Sequence, residues 1–466
     1  MASPFDYDVV VIGTGPGGYV AAIRAAQHKL SVAVVEKEKL GGVCLNIGCI
    51  PSKSLIHHAE IFRSAAALEQ MGVSVDRTSF DFSRVHAASR KAADMLSKGV
   101  AYLLKKNGVT VIQGTGAMLS PHEIRIDGEK VITGGSVIIA TGSRPREIPG
   151  FPFDEQTVLS SSGALMLKEL PKELLILGGG AIGIEFAHIM NSFGVKVHLV
   201  EMLDHLLPLE DDEVATLLGR LFSKRGIEIA TRTKALSMKQ STGNRIDVLL
   251  EDSTGTQRTV IVDKVLSVVG RTPNTDAVGL ENIGITTERG FIPVGDYGET
   301  RVPGVYAIGD VVATPLLAHV ASKEGEIAAE HIAGGSSTPS KIDLMAIPGA
   351  IYCEPQIASF GLTERIAGEL DIAFKKASFP YRGAGKSVAI GASEGFVKIL
   401  TSPETDEILG AHIIGAQATE LIHELLLGKS AELLPADIAG MVHAHPTLSE
   451  AVMEATRASE GWAIHI

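Results

Sequence analysis

Cys44 and Cys49 are two of only three cysteines in the chain, separated by Leu45-Asn46-Ile47-Gly48. Two thiols this close, with no other cysteine nearby, suit a disulfide that opens and closes. A metal site is the rival, but two sulfurs are too few ligands and no C-x2-C partner follows. Plain burial is the bland alternative, because free cysteine is often simply buried. Geometry adds a condition. Residues five apart in a regular helix are separated by about 7.5 Å along the axis, whereas bridged cysteines keep their Cα atoms within about 6.8 Å. A bridge therefore requires a distorted helix between the two. Gly48 is a plausible place for the distortion, and Pro51 limits hydrogen bonding just after it. The third cysteine, Cys353, has no partner in the sequence and reads as structural. Far downstream, His443-Ala444-His445-Pro446-Thr447-Leu448-Ser449-Glu450 offers an imidazole and a carboxylate five residues apart. A carboxylate orienting an imidazole is a general-base arrangement. A histidine near a helix start is more often structural, but a thiol pair elsewhere that needs a base favours the functional reading.

The elements that must position these groups are repeated. Asp8-Val9-Val10-Val11-Ile12 reads as a buried strand, followed by Gly13-Thr14-Gly15-Pro16-Gly17-Gly18, an Ala-rich helix over 19–29 and a second strand ending at Glu36. This is G-x-G-x-x-G between strand and helix. Gly13 permits the turn, Gly15 admits a diphosphate, Gly18 lets helix and strand approach, and Glu36 can take ribose hydroxyls. The pattern returns at Leu174–Leu177, Gly178, Gly180 and Gly183, and ends at Glu201 with the same spacing. Two such units imply two dinucleotides. Glu201 would pair with a free 2′-hydroxyl and repel a 2′-phosphate, which favours NAD over NADP. Each repeat has a later echo, Val137–Gly142 and Val265–Arg271, that reads as a strand returning to its sheet. Val305–Asp310 reads as a strand delivering an acid to a helix start.

The 466 residues suggest about three domains. With 42 Lys+Arg against 54 Asp+Glu, the net charge of −12 argues against nucleic acid as the main partner. Three cysteines in so long a chain fit a reducing compartment. No apolar run reaches the ~18–20 residues of a membrane span. The N-terminus lacks a basic leader, and a strand begins almost at once. The expectation is a cytoplasmic protein with no membrane segment and no domain fused upstream. Residues 60–107 look helical, 124–132 look like a hairpin around Asp127-Gly128, and 334–340 look like a flexible seam. Pro-rich linkers at 145–152 and 273–274 leave the first and second units. From about 346 an α+β unit follows, with strands at 350–360, 394–401 and 409–415 and helices near 363–370 and 418–429.

On Gly13–Gly18, Gly41–Lys53, Ala140–Gly142, Gly178–Glu185, Gly309-Asp310 and His443–Glu450, the chain resembles the pyridine-nucleotide disulfide oxidoreductases, closest to those that oxidise dihydrolipoamide. The resemblance spans essentially the whole chain. It implies an α/β fold of two Rossmann-like units and a C-terminal α+β dimerisation domain, divided at 1–149, 150–272, 273–345 and 346–466. It implies FAD in the first repeat, at Gly13, Gly15, Gly18, Glu36, Lys53, Gly116, Ala140, Thr141, Gly142, Asp310 and Ala318. It implies NAD in the second, at Gly178, Gly180, Gly183, Glu185, Glu201 and Gly270. Lys53 would lie near the flavin ring, paired with Glu185. Cys44 would meet the substrate and Cys49 would face the flavin. In a homodimer, His445, held by Glu450, would serve the disulfide of the other subunit. The implied partners are lipoyl domains of 2-oxo acid dehydrogenase acyltransferases or a glycine-cleavage H-type protein. Glutathione-type members use NADPH, against which Glu201 argues. Mercuric reductases typically add a C-terminal cysteine pair that is absent here, and NADH oxidases lack the second thiol. A role chiefly as a structural subunit fits poorly with Cys44, Cys49, His445 and Glu450 all being present.

Overall fold

The computed structural model describes residues 4–334 and 341–465, apart from positions 242 and 244. The seam expected at 334–340 lies, beyond its first residue, outside the described residues. Strand Tyr7–Ile12 is buried along Val9, Val10 and Val11 and flanked on both edges by parallel neighbours. A strand covered on both faces reads as a continuous apolar run, and this one does. The parallel order across the first sheet is Thr110–Gln113, Val32–Glu36, Tyr7–Ile12, Lys130–Ile139 and Val305–Ala307. Strand Lys130–Ile139 has three neighbours, Val305–Ala307 among them. Its first half pairs antiparallel with Glu123–Ile126, and from Gly134 onward it pairs parallel with Tyr7–Ile12. The hairpin turn is at Asp127 and Gly128, both with positive φ, as a type I′ turn requires.

The second unit repeats the plan. Its parallel order is Glu228–Ala230, Lys196–Val200, Glu173–Leu177, Lys264–Ser267 and Val158–Leu159. Strands Thr233–Gln240, Ile246–Asp252 and Gln257–Val262 form its antiparallel layer. The short strands that lead into the two expected linkers pair with each other: Ser143–Pro145 runs antiparallel to Arg271–Pro273. Thr141 Oγ1 donates to the Asn274 carbonyl (2.7 Å), and Asn274 Nδ2 returns a bond to the Thr141 carbonyl (3.0 Å). Helix Ala318–Ile332 lies against helix Pro16–Gln27, with Gly17 and Gly325 at a crossing too close for a side chain.

The C-terminal unit is an antiparallel sheet in the order Gly349–Ile351, Gln356–Gly361, Ile408–Gly415, Phe396–Thr401, Lys375–Pro380. Phe360, Phe379, Ile399 and Ile413 of the sheet share a buried cluster with Ile422 and Val452 of helices Ala418–Ser430 and Ser449–Ser459. The molecule is thus α/β, with two Rossmann-like units and a C-terminal α+β unit. Among the described residues, no helix is long and apolar enough to cross a membrane.

Three expectations are corrected. The helical reading of 60–107 is broken, with helices Cys49–Gln70 and Phe82–Lys106 separated by residues 71–81. Gly72 takes a left-handed φ of +83°, Asp76 accepts the backbone N–H and hydroxyl of Thr78, and Asp81 caps the next helix through the Ser83 N–H (2.9 Å). The strand expected at 350–360 is interrupted at 352–355, where Pro355 has no N–H for a ladder. Strand Lys375–Pro380, not foreseen, is an edge strand, the position where lysines and a proline are tolerated.

Candidate functional site

The cysteine segment follows the first dinucleotide unit. Gly41, at φ +91°, turns the chain into a short helix, Gly42–Ile47. Gly48 leaves helical geometry at φ −148° and ψ −116°, and helix Cys49–Gln70 starts directly after it. The break brings Cys44 and Cys49 to a Cα–Cα distance of 4.7 Å, and the two are disulfide-bonded. A side chain at Gly48 would press to 2.9 Å from the Val43 carbonyl oxygen, so the break favours glycine. Asn46 ties the short helix together through the carbonyls of Leu40 (3.0 Å) and Gly42 (2.9 Å). Cys353 is fully buried and donates to the Pro355 carbonyl (3.0 Å), and burial pushes its thiol far above the ordinary range.

The two glycine turns are built alike. A Cβ on Gly13 would overlap the Ala140 carbonyl, and one on Gly18 the Gly13 carbonyl. Gly178 and Gly183 stand in the same relation to the carbonyls of Val268 and Gly178. Gly15 and Gly180 differ: a Cβ there meets no atom within 4 Å. Each opens a helix, at Pro16 and Ala181, so free N–H groups border open space above the turn. Glu36 accepts the N–H of Thr14 (2.9 Å) and of Glu38 (2.9 Å). Glu201 accepts those of Gly179 (2.7 Å) and Leu203 (2.9 Å), the corresponding positions. Both carboxylates are thereby held at the strand ends. Open space, helix N-termini and anchored carboxylates fit a dinucleotide in each unit.

The remaining positions gather around the same edges. Ala140, Thr141 and Gly142 follow the strand Lys130–Ile139, with the Ala140 N–H on the Ile12 carbonyl (2.8 Å). Gly116 opens a strand so close to Val35 and Ile12 that a side chain would press on both. Gly270, at φ +124°, takes the Arg146 N–H on its carbonyl (3.1 Å). Ala318 is the first residue of its helix. Strand Val305–Ala307 delivers Asp310 to the first turn of the 3-10 helix Gly309–Val311. There it accepts from the Ser143 hydroxyl, with Arg271 Nε 3.6 Å away. Sequence reasoning missed Glu324, which accepts the Gly309 N–H (2.6 Å) and the Thr314 hydroxyl (2.7 Å). Burial pushes its carboxyl up, and Asp310 adds to this against the two hydrogen bonds. In the sequence it resembled any surface acid on an amphipathic helix.

Lys53 lies one turn beyond Cys49 on the same helix. Its ammonium is 2.9 Å from both oxygens of Glu185, which comes from helix Ala181–Ser192 of the second unit. Tyr352, also missed from sequence, joins them: its N–H donates to Glu185 Oε1 (3.1 Å), and its ring lies 4.5 Å from Lys53 Nζ.

The C-terminal motif holds two imidazoles in different states. His443 is buried on Glu424 (Nε2 to Oε1, 2.7 Å). The side chain of His445 is 76 % exposed, with Nδ1 2.9 Å from Glu450 Oε1. The Thr447 N–H fixes the second oxygen of Glu450 (2.8 Å). Burial would raise the Glu450 carboxyl, but Thr447 and His445 outweigh it and hold it below the usual range. Among the described residues no hydrogen bond or ion pair joins His445 or Glu450 to the cysteine segment. The pair is formed and its imidazole exposed, yet among the described residues no thiol lies in reach of a hydrogen bond to it.

Comparison with known proteins places this geometry. The pyridine nucleotide-disulphide oxidoreductase family matches residues 7–325, and the dimerisation domain of the same family matches residues 347–456. A dihydrolipoyl dehydrogenase of Bacillus subtilis is 44 % identical over 473 residues, covering 99 % of both chains. One from Thermus scotoductus is 43 % identical with 99 % of each chain covered. The mitochondrial dihydrolipoyl dehydrogenase of Pisum sativum is 40 % identical, covering 98 % of this chain and 92 % of its own. Among solved structures, LpdA from Mycobacterium tuberculosis superposes with a TM-score of 0.88 at 28 % identity, over 96 % of this chain and 98 % of that one. The HOCl-induced flavoprotein disulfide reductase RclA from Escherichia coli does so at 0.85 and 27 %, over 97 % and 99 %. The chain belongs to the pyridine nucleotide-disulphide oxidoreductase family.

Proposed function

We propose that the protein is an FAD- and NAD-dependent dihydrolipoyl dehydrogenase, oxidising protein-bound dihydrolipoyl groups to the cyclic disulfide while NAD is reduced. The observation that carries this reading is the Cys44–Cys49 disulfide, bridged across the break at Gly48 one turn from Lys53, in a chain that matches dihydrolipoyl dehydrogenases from end to end.

The residues divide the work as follows. Gly13, Gly15 and Gly18 with Glu36 hold FAD, aided by Gly116, Ala140, Thr141, Gly142, Asp310 and Ala318. Gly178, Gly180 and Gly183 with Glu201 and Gly270 hold NAD. Glu450 fixes Nδ1 of His445, leaving Nε2 to take a proton from one substrate thiol. The thiolate attacks Cys44, the S–S bond breaks, and Cys49 leaves as a thiolate. The second substrate thiol displaces Cys44. The substrate is then the disulfide and Cys44–Cys49 the dithiol, two electrons richer. FAD bound in the first unit would supply the acceptor for that electron pair as the Cys44–Cys49 bond re-forms, and hydride chemistry toward NAD. Lys53, its position set by Glu185, supplies positive charge at the cysteine end of the flavin site.

The matched dimerisation domain supports a homodimer, and the exposed His445 supports a site completed by the other subunit. We divide the chain at 1–149, 150–272, 273–345 and 346–466; the pairing of Ser143–Pro145 with Arg271–Pro273 and the return of strand Val305–Ala307 to the first sheet support this reading. We assign the partners as lipoyl domains of 2-oxo acid dehydrogenase complexes or the glycine cleavage system, and the location as the cytoplasm, a reducing compartment that suits a chain of this length with three cysteines.

Anaerobic titration with dihydrolipoamide tests the reading. Flavin absorbance should bleach on addition of the dithiol and recover with NAD much faster than with NADP. No bleaching would overturn the activity, and faster recovery with NADP would overturn the role of Glu201.

A further inference from the structure

Residues 352–355 interrupt a strand, and the interruption is gripped from two sides. Helix Cys49–Gln70, which starts at the disulfide, reaches it twice: the Lys53 ammonium stands over the Tyr352 ring, and Arg63 pairs with the Glu354 carboxylate. Helix Ala181–Ser192 of the second unit reaches it once directly and once through Arg225. Glu185 accepts the Tyr352 N–H, and His188, one turn on, meets Arg225, which donates to the Glu354 carbonyl (3.1 Å). The Arg63–Glu354 pair lies at the surface, whereas Glu185, His188 and Cys353 are buried. His188 is inaccessible, and burial, with Arg225 and Arg63 adding, keeps its imidazole neutral, so Nδ1 accepts from Arg225 at 3.1 Å. Burial, with Arg63 adding, lowers the Arg225 guanidinium to about 10. Cys353, between the two gripped residues, is itself inaccessible. Such a segment cannot shift without disturbing both helices.

We propose that Tyr352 is a positioning residue for the reaction, its ring face fixing where the Lys53 ammonium stands between Glu185 and the flavin site. The proposal rests on the reading of Lys53 as the charge beside the flavin. Glu185 alone anchors Lys53 by a flexible carboxylate on another domain's helix. The ring adds a second, non-competing attraction, because the negative face of an aromatic ring draws a cation without accepting its protons. All three ammonium donors then stay available, two for Glu185 and one for a group in the flavin crevice. Burial, with Glu185 and Glu420 adding, pushes the Tyr352 phenol up, so the ring stays neutral across the working pH range. The backbone bond from Tyr352 to Glu185 keeps the carboxylate in register with the ring. Three side chains from three segments thus set one charge.

The test compares holoenzymes carrying Tyr352→Phe and Tyr352→Leu, reading the midpoint potential of the bound flavin together with turnover. Phe keeps the ring face and should match wild type within about twofold. Leu fills the space without the face. The flavin redox equilibrium should then shift toward the oxidised form by about tenfold, or about 30 mV for a two-electron couple. The kcat should fall while KM for NAD stays within about twofold. If Leu does not fold, pentafluorophenylalanine at 352 reverses the ring's charge pattern at nearly constant shape and should give the same shift. A folded, flavin-replete Leu or fluorinated variant with wild-type potential would overturn the proposal. Lys53→Met separates the two readings. If it too leaves the potential unchanged, the reading of Lys53 fails. If it moves the potential and the Tyr352 variants do not, only the role of Tyr352 fails.

Discussion

The two dinucleotide units use one backbone device and attach different things to it. In the first, the Thr14 carbonyl accepts the N–H of Gly41, and in the second the Gly179 carbonyl accepts the N–H of Leu207. Both acceptors sit at the second residue of the glycine turn, and both donors have positive φ, +91° and +52°. From there the units diverge. Gly41 is followed by Gly42, whose backbone lies so close to Gly15 that a Cβ would come within 2.7 Å of its Cα. The chain hugs the turn and runs into the helix that carries Cys44. Leu207 is followed by Pro208, and the chain swings away to helix Asp212–Lys224, capped by Asp211. There Asp211 meets Lys398, a fully buried lysine of the C-terminal sheet (2.9 Å). At the same point of the same fold, one repeat places a redox pair over its crevice and the other places a domain anchor. The glycine-turn device stands in both units, and the cysteine pair follows only the first.

The comparison breaks most severely at the thiols. Cys44→Ser and Cys49→Ser should each reduce lipoamide turnover to background while leaving flavin content at the wild-type level, because neither residue contributes to the glycine turn. Appreciable lipoamide-dependent NADH formation by either variant would rule out exchange through this pair. The next largest effect belongs to His445. His445→Gln should lose roughly 10²–10⁴-fold in lipoamide turnover, the usual size of a general-base contribution. Glu450→Gln should lose less, since the imidazole survives but is poorly held. Electron transfer from NADH to an artificial acceptor should persist in both. Subunit mixing then tests where the base comes from. A Cys44→Ser chain exchanged with a His445→Gln chain should recover about a quarter of wild-type activity under random pairing, because each heterodimer has one site with both groups intact. No recovery despite demonstrated exchange would put the base and the disulfide in one chain.

How much of this was legible depended on how locally each feature is determined. The two glycine turns were readable because backbone overlap leaves no choice: Gly13 against Ala140, Gly178 against Val268. The break at Gly48 was readable because a disulfide sets a distance that a straight helix cannot meet. The interruption at 352–355 was not, because Ala350-Ile351-Tyr352 continues an acceptable strand and the groups that grip it lie far away in sequence, at Lys53, Arg63, Glu185 and Arg225. The burial of Lys398 was not legible for the same reason. In Phe396-Val397-Lys398-Ile399 a lysine reads as a residue facing solvent, yet it is fully buried because Asp211, Glu213 and Glu364 converge on it. The pause at 71–81 was masked by Ala-rich helix on both sides. The pairing of His445 with Glu450 was legible from spacing, whereas the thiol it serves lies beyond any rule of local sequence.

The smallest expected effect is also the one that compares the two repeats directly. Gly15 and Gly180 have nearly the same conformation, φ −60° and −75° with ψ near 180°, which any residue adopts. A methyl group at either meets no protein atom within 4 Å. Alanine at either position should therefore leave the fold intact, within the ±0.5 kcal/mol usual for a substitution that touches nothing. The methyl would, however, occupy the space into which the helix N-terminus points, where a diphosphate must approach. Overpacking of that kind costs about 1–3 kcal/mol, or roughly 5–150-fold in affinity. Gly15→Ala should lower flavin retention during purification and leave NAD affinity unchanged. Gly180→Ala should keep its flavin, keep bleaching with dihydrolipoamide, and raise KM for NAD. Gly18→Ala and Gly183→Ala provide the contrast, because their methyls overlap backbone carbonyls and should lower the melting temperature instead. If Gly15→Ala weakened NAD, or Gly180→Ala released flavin, the assignment of one cofactor to each repeat would be reversed.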